Sequence, residues 1–213
     1  MKITNRNLLA GRVPRRRGAR FWRSALVAAV LLGLSPVPAA GELHAARDSR
    51  PNVIFVTLDT VRADHLGCYG YTQIQTPNID QLARAGARFT HAYTPVPITL
   101  PAHAVLFTGA FPTATGMHDF SGNKLPATAV TIAKVLRDKG YATAAFLGSA
   151  VLDSRFGLNQ GFDTYFDHFD FSRLDEAHLD QMERRGDLVT DEALSWLERR
   201  PRQPFLLWVH LYD

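Results

Sequence analysis

Cysteine is almost absent from this 213-residue chain, with Cys68 as its sole example. That excludes an intramolecular disulfide framework and a cysteine-rich zinc site. No uninterrupted apolar run approaches the roughly 20 residues of a membrane-spanning helix. Gly-x-Gly-x-x-Gly, Walker, Cys-x-x-Cys and Gly-x-Ser-x-Gly patterns are all missing, so nucleotide cofactors, structural zinc and a hydrolase nucleophile elbow have no support. There is no internal repeat or low-complexity stretch. The body of the chain also lacks a basic excess, although the formal net charge is +4. Residues 1–49 hold nine Lys or Arg against two Asp or Glu, and residues 50–213 hold fifteen against eighteen. Binding to nucleic acid is therefore not expected.

What is present is a 46% hydrophobic chain long enough for one globular core, or two small ones. Its first 49 residues read as a leader. A basic stretch through Arg15, Arg16, Arg17 and Arg23 precedes the apolar run 25–34, and small residues with Val37 and Ala39 at the −3 and −1 positions follow. Residues 1–39 are thus expected to be a signal peptide and 40–49 a linker, with export to the periplasm or medium. Ten apolar residues cover only about 15 Å as a helix, against about 30 Å of hydrocarbon. An uncleaved membrane anchor through residues 21–40 is the alternative. The residues after Arg16-Arg17 fit a twin-arginine signal poorly.

From residue 50 the pattern is strand and helix in alternation. Val53-Ile54-Phe55-Val56-Thr57-Leu58 is apolar at almost every position and is expected to be a strand buried on both faces. Residues 78–85 predict a short helix with Ile79, Leu82 and Ala83 on one face, stopped at Gly86. Residues 127–139 predict a second helix ending at Gly140, 141–147 a strand, 188–200 a helix, and 205–211 a final strand. Residues 162–182, acidic and aromatic, read as an irregular surface excursion. The fold expected is α/β, a mostly parallel sheet flanked by helices. Because the chain stops on a buried strand with no covering helix, the domain is expected to be incomplete at its C-terminus.

Ligands of open α/β sheets gather at the carboxyl ends of strands. Asp59-Thr60 follows the first strand directly. A carboxylate there either caps the turn or holds a divalent cation. The second constellation is Thr99-Leu100-Pro101-Ala102-His103, after Pro95 and Pro97. Pro101 is tolerated in a helix's first turn, so Thr99 falls at a helix N-terminus, with His103 one turn later on the same side. Thr99 is either a capping residue or a hydroxyl poised where free N–H groups favour an anion. His65, His91 and His118, and the acidic group Asp163, Asp167 and Asp170, read as surface residues.

These segments resemble the sulfatase family of the alkaline phosphatase superfamily. The resemblance rests on Pro51-Asn52-Val53 through Asp59-Thr60, on Arg62-Ala63-Asp64-His65-Leu66-Gly67-Cys68-Tyr69-Gly70, and on Thr76-Pro77-Asn78-Ile79-Asp80. Gly86-Ala87-Arg88-Phe89 and the stretch from Thr99 to Thr108-Gly109 continue it. It implies an alkaline-phosphatase-like fold whose N-terminal part is residues 50–213. It also implies Asp59, Thr60 and Thr99 at a divalent metal (Ca, Mg, Mn or Zn), and Thr99 and His103 as catalytic residues. The family's later Asp-Pro-His and Asp-His-Gly segments, which complete the metal site, would follow residue 213.

The departures from the family pattern shape the chemistry. Thr99 stands where a sulfatase has the Cys or Ser oxidised to formylglycine, and Ala102 and His103 replace its Ser and Arg. Thr60 replaces the second carboxylate of the metal pair. Gly148-Ser149 stands where a Gly-Lys-Trp-His-like segment contacts sulfate, leaving Arg155 as a substitute cation or a surface ion pair. Cys68 lacks the Pro and Arg that formylglycine maturation requires. The function expected is hydrolysis of a small-molecule or glycan sulfate ester through a Thr nucleophile. The alternatives are a phosphoester or phosphonate hydrolase or phosphoethanolamine transferase of the same superfamily, and a non-catalytic fragment or binding module.

Overall fold

A computed structural model of the chain describes residues 50–120, 123–173, 182–199 and 201–212. The expected signal peptide, its anchor alternative (21–40) and the linker lie outside the described residues. Among the described residues no helix is long and apolar enough to cross a membrane.

Four strands form one parallel sheet in the order β1-β4-β2-β3: β1 Val53–Leu58, β2 Ala142–Leu147, β3 Thr164–Phe166 and β4 Phe205–Leu211. The central place of β4 explains its composition. With strands on both sides and helices on both faces, six of its seven residues are buried. The helices are α1 Pro77–Ala85, α2 Thr99–Thr108, α3 Pro112–Thr115, α4 Ile132–Asp138 and α5 Gly186–Glu198.

One core lies between the sheet and α2. Leu100, Ala104 and Phe107, spaced to share one side of α2, are buried against Trp208, which has no exposed surface. The rings of Phe107 and Trp208 lie 4.5 Å apart, and Phe55 meets Phe107 edge-on at 5.7 Å. On the opposite face α5 lays Val189 and Ala193 over Ala144, Phe146, Leu207 and Val209.

Three details differ from the expectation. β1 alternates instead of being covered twice: Ile54, Val56 and Leu58 are 58%, 51% and 40% exposed. They lie opposite Leu207, Val209 and Leu211 in register, and α5 covers β2 and β4 but does not extend over β1. The second helix is shorter, because the Thr131 side chain accepts the Lys134 N–H at 3.1 Å and starts α4 at Ile132, leaving Val130 exposed. The acidic excursion contains β3, three residues between Asp163 and Asp167, too short for any periodicity to register. Asp163, Asp167 and Asp170 each accept a backbone N–H, from Thr143, Ser154 and Ser172.

The loop before β3 is pinned closely. Thr131 Oγ1 donates to the Gln160 carbonyl at 2.9 Å, and Thr143 Oγ1 donates to the Gly161 carbonyl at 2.8 Å. Gly161 has φ +99°, and a Cβ there would collide with the Lys134 backbone nitrogen and lie 2.6 Å from the Ala133 carbonyl carbon. Gly161→Ala is expected to lower stability by at least about 2 kcal/mol in denaturant unfolding, and Gly86→Ala, whose Cβ would meet the nearest atom at 3.4 Å, by under about 1 kcal/mol. Equal effects would contradict this reading of the loop.

Candidate active site

The carboxyl ends of β1 and β4 and the first turns of α2 meet at one place. The Asp59 N–H donates to the Leu211 carbonyl at 2.9 Å, which carries the β1–β4 ladder one residue further and fixes the backbone beneath the carboxylate. Asp59 Oδ1 accepts the Thr60 N–H at 2.8 Å. Thr60 has φ +56°, a left-handed conformation uncommon for a β-branched residue, and its own side chain is exposed. The turn therefore occupies one carboxylate oxygen. Oδ2, the other, is buried without a hydrogen-bond partner.

His210, on β4, stands opposite Thr57 in register and is fully buried. Its Nδ1 lies 2.9 Å from Thr57 Oγ1, which also accepts the Trp208 indole N–H at 3.0 Å. Its Nε2 has no partner and lies 3.6 Å from Asp59 Oδ2. His103, one turn into α2, donates from Nδ1 to the Thr99 carbonyl at 2.7 Å, and its buried Nε2 is likewise unpartnered. The two imidazoles meet edge-on with centroids 4.8 Å apart.

Burial, and next the nearby His103, depress His210 to a pKa of about 3. Burial also lowers His103, against the opposing pull of the Thr99 carbonyl and the Asp59 charge. Both rings are thus neutral at pH 7, and the Asp59–His210 contact is a carboxylate beside a neutral imidazole, not an ion pair. A carbonyl can only accept, so neutral His103 carries its proton on Nδ1 and presents a lone pair at Nε2.

Each buried polar atom without a partner costs about 1–3 kcal/mol. Asp59 Oδ2, His103 Nε2 and His210 Nε2 accumulate that cost in one small region, which is the mark of a site built for a ligand. A fourth such atom, Ser149 Oγ, follows β2 at the same end of the sheet. Thr99, half-buried, is the first residue of α2; Ile98 occupies the N-cap position, so Thr99 is not the capping residue.

Asp59 Oδ2, a buried carboxylate oxygen with nothing bonded to it, suits a cation. Among the described residues no group of three His, Cys, Asp or Glu is arranged to hold a metal ion. Sequence reasoning brought Asp59, Thr99 and His103 forward and missed His210, which it took as one more residue of an apolar strand. The rule that singled out Asp59, a polar group at the carboxyl end of a buried strand, applies equally to His210. Arg155 is taken up by Asp153 at 3.1 Å and by the face of Phe171 at 3.6 Å. Cys68 is a free, partly buried thiol.

Comparison with known proteins gives the family. Human arylsulfatase A is 42% identical over 98 residues, 44% of this chain and 19% of its own. The N-acetylglucosamine-6-O-sulfatase of Bacteroides thetaiotaomicron is 32% identical over 176 residues, 76% of this chain and 30% of its own. A protein solved with its substrate D-glucosamine-2-N,6-O-disulfate superposes with a TM-score of 0.63 at 28% identity, over 76% of this chain and 34% of that one. The phosphonate monoester hydrolase of Agrobacterium radiobacter shares the fold, with a TM-score of 0.61 at 21% identity over 77% of this chain and 41% of that one. The chain thus spans about a fifth to a third of the length of these curated relatives. The Sulfatase family model matches residues 51–213, from the approach to β1 through β4 and the strand ends that carry Asp59 and His210, and on that match the chain belongs to the sulfatase family.

Proposed function

We propose that this chain carries the nucleophile and the first metal ligand of an exported, metal-dependent hydrolase of sulfate esters. The observation that carries the reading is the pair of buried, unpartnered atoms, Asp59 Oδ2 and His103 Nε2, beside the turn that begins with Thr99. Asp59 and Thr99, with Thr60 adjacent, would hold the cation. When bound, a divalent ion of the Ca, Mg, Mn or Zn type lowers the pKa of the hydroxyl and offsets charge on the ester oxygens.

In this reading Thr99 Oγ1 attacks the sulfur, and the bond from sulfur to the alcohol oxygen breaks. The hydroxyl proton passes to His103 Nε2, whose lone pair is free in the neutral ring. With protons on both nitrogens the ring is a cation beside the developing oxyanion, a role that Asp59 favours and burial opposes. The departing alkoxide takes that proton back from His103 and leaves as the alcohol; water then attacks the covalent Thr99 ester at sulfur, one of its protons passing by way of His103 to the Thr99 oxygen and the other leaving with the sulfate.

That last step supports a second reading. A formylglycine hydrate expels sulfate with its second hydroxyl, and Thr99 has only one. Direct attack by water at the central atom is the route of phosphoryl chemistry, so phosphoester or phosphonate substrates of the same superfamily stand beside sulfate esters.

Assay of the full-length enzyme on p-nitrophenyl sulfate, a phosphate monoester, a phosphate diester and a phosphonate monoester separates the two. Thr99→Ala is expected to lower the rate on the best substrate at least about 10³-fold and His103→Ala about 10²- to 10³-fold, while Thr99→Ser keeps part of it. Full activity in Thr99→Ala would remove Thr99 from the mechanism. Inactivity of the metal-loaded wild type on all four would favour a binding role. Export is checked by N-terminal sequencing: protein recovered from the periplasm or medium should begin near Ala40, and an intact Met1 on cytoplasmic protein would contradict it.

A further inference from the structure

We propose that His210 is a positioning residue that aims the free oxygen of Asp59, and that Trp208 and Thr57 set the tautomer with which it does so. The inference rests on Asp59 serving the site as described under the proposed function, and it gives a task to three residues outside that mechanism.

The argument runs along one chain of hydrogen bonds. An indole nitrogen donates and cannot accept, so Thr57 Oγ1 receives the Trp208 N–H at 3.0 Å. The hydroxyl keeps one hydrogen to give, and its other close partner is His210 Nδ1 at 2.9 Å. Thr57 therefore donates to Nδ1, and the neutral ring carries its proton on Nε2. That N–H faces Asp59 Oδ2 at 3.6 Å, and each of these two atoms lacks any other hydrogen-bond partner. A modest side-chain rotation closes the gap to hydrogen-bond length.

The opposite tautomer would put two lone pairs against each other, Nε2 and Oδ2, in a buried setting. It would also present Thr57 with two donors and leave the hydroxyl hydrogen without an acceptor among its close partners. The register enforces the arrangement, since Thr57 pairs with His210 and Phe55 with Trp208 across the same two strands. The Thr60 N–H fixes Oδ1, so the His210 N–H on the other side controls the direction of Oδ2. His103, tied by Nδ1 to the Thr99 carbonyl, is the mirror case. Two adjacent imidazoles thus offer the site one N–H and one lone pair.

The test is a long-range proton–nitrogen NMR spectrum of the metal-free chain labelled with ¹⁵N histidine. His210 is expected as the Nε2–H tautomer and His103 as the Nδ1–H tautomer. Thr57→Val, nearly equal in volume, should shift His210 toward Nδ1–H, and Thr57→Ser should restore the wild-type signals. Asp59→Asn should move the His210 Nε2–H resonance and leave its tautomer unchanged. In the full-length enzyme Thr57→Val should lower kcat about 10- to 100-fold with KM within about twofold, and Thr57→Ser should recover most of it. A wild-type Nδ1–H tautomer at His210, or a resonance indifferent to Asp59→Asn, would overturn the proposal, even where Thr57→Val does not fold. Thr99→Ala should leave the His210 signals in place, so loss of the nucleophile reading and loss of this one are separate results.

Discussion

The parallel ladder between β1 and β4 is the constraint on which the site depends. Its register sets Thr57 against His210, and its last hydrogen bond, from Asp59 N–H to the Leu211 carbonyl, fixes the carboxylate at the strand exit. A slip of β1 by one residue would turn Thr57 and Asp59 together to the face away from His210. Packing guards against such a slip. Phe55 and Trp208, two residues before Thr57 and His210, meet the same Phe107 of α2, so the contacts that bury the core also fix where the polar groups emerge.

Burying the site changes the kind of charge it can hold. By the sequence resemblance, His103 stands where the family pattern has a permanently charged Arg, and Thr60 where it has a second carboxylate. What stands in their place is two neutral imidazoles, one carboxylate and a hydroxyl, each ring and the carboxylate held on one side by the fold and presenting one buried atom without a hydrogen-bond partner. The unpartnered atoms represent stability set aside at one spot, which a ligand bonded to them would recover. The exposed side of β1 is a separate matter: Ile54, Val56 and Leu58 are apolar and uncovered because α5 crosses only β2 and β4.

Much of the fold was legible because buried strands and capped helices leave local marks. The runs beginning at Val53 and Phe205 are strands because almost nothing in them is polar, and Pro77 and Gly86 bound α1 as sequence alone predicts. β3 was not legible, since three residues pair with β2 only through a tertiary contact, and the true start of α4 lay in the capping bond of Thr131. For the site, Asp59 and Thr99 announced themselves as polar groups at element ends. His210 sits one residue before the end of an apolar run, where the same strand-end rule marks it, but its partners, Thr57 and Asp59, are more than 150 residues away in sequence, so only the strand pairing shows what it touches.

The most direct measurement is mass spectrometry of the full-length enzyme quenched during turnover of its best substrate. The account predicts a sulfuryl or phosphoryl adduct on the peptide that contains Thr99, absent from Thr99→Ala. An adduct on a different residue, or active enzyme with unmodified Thr99 under conditions in which the breakdown step limits turnover, would contradict it.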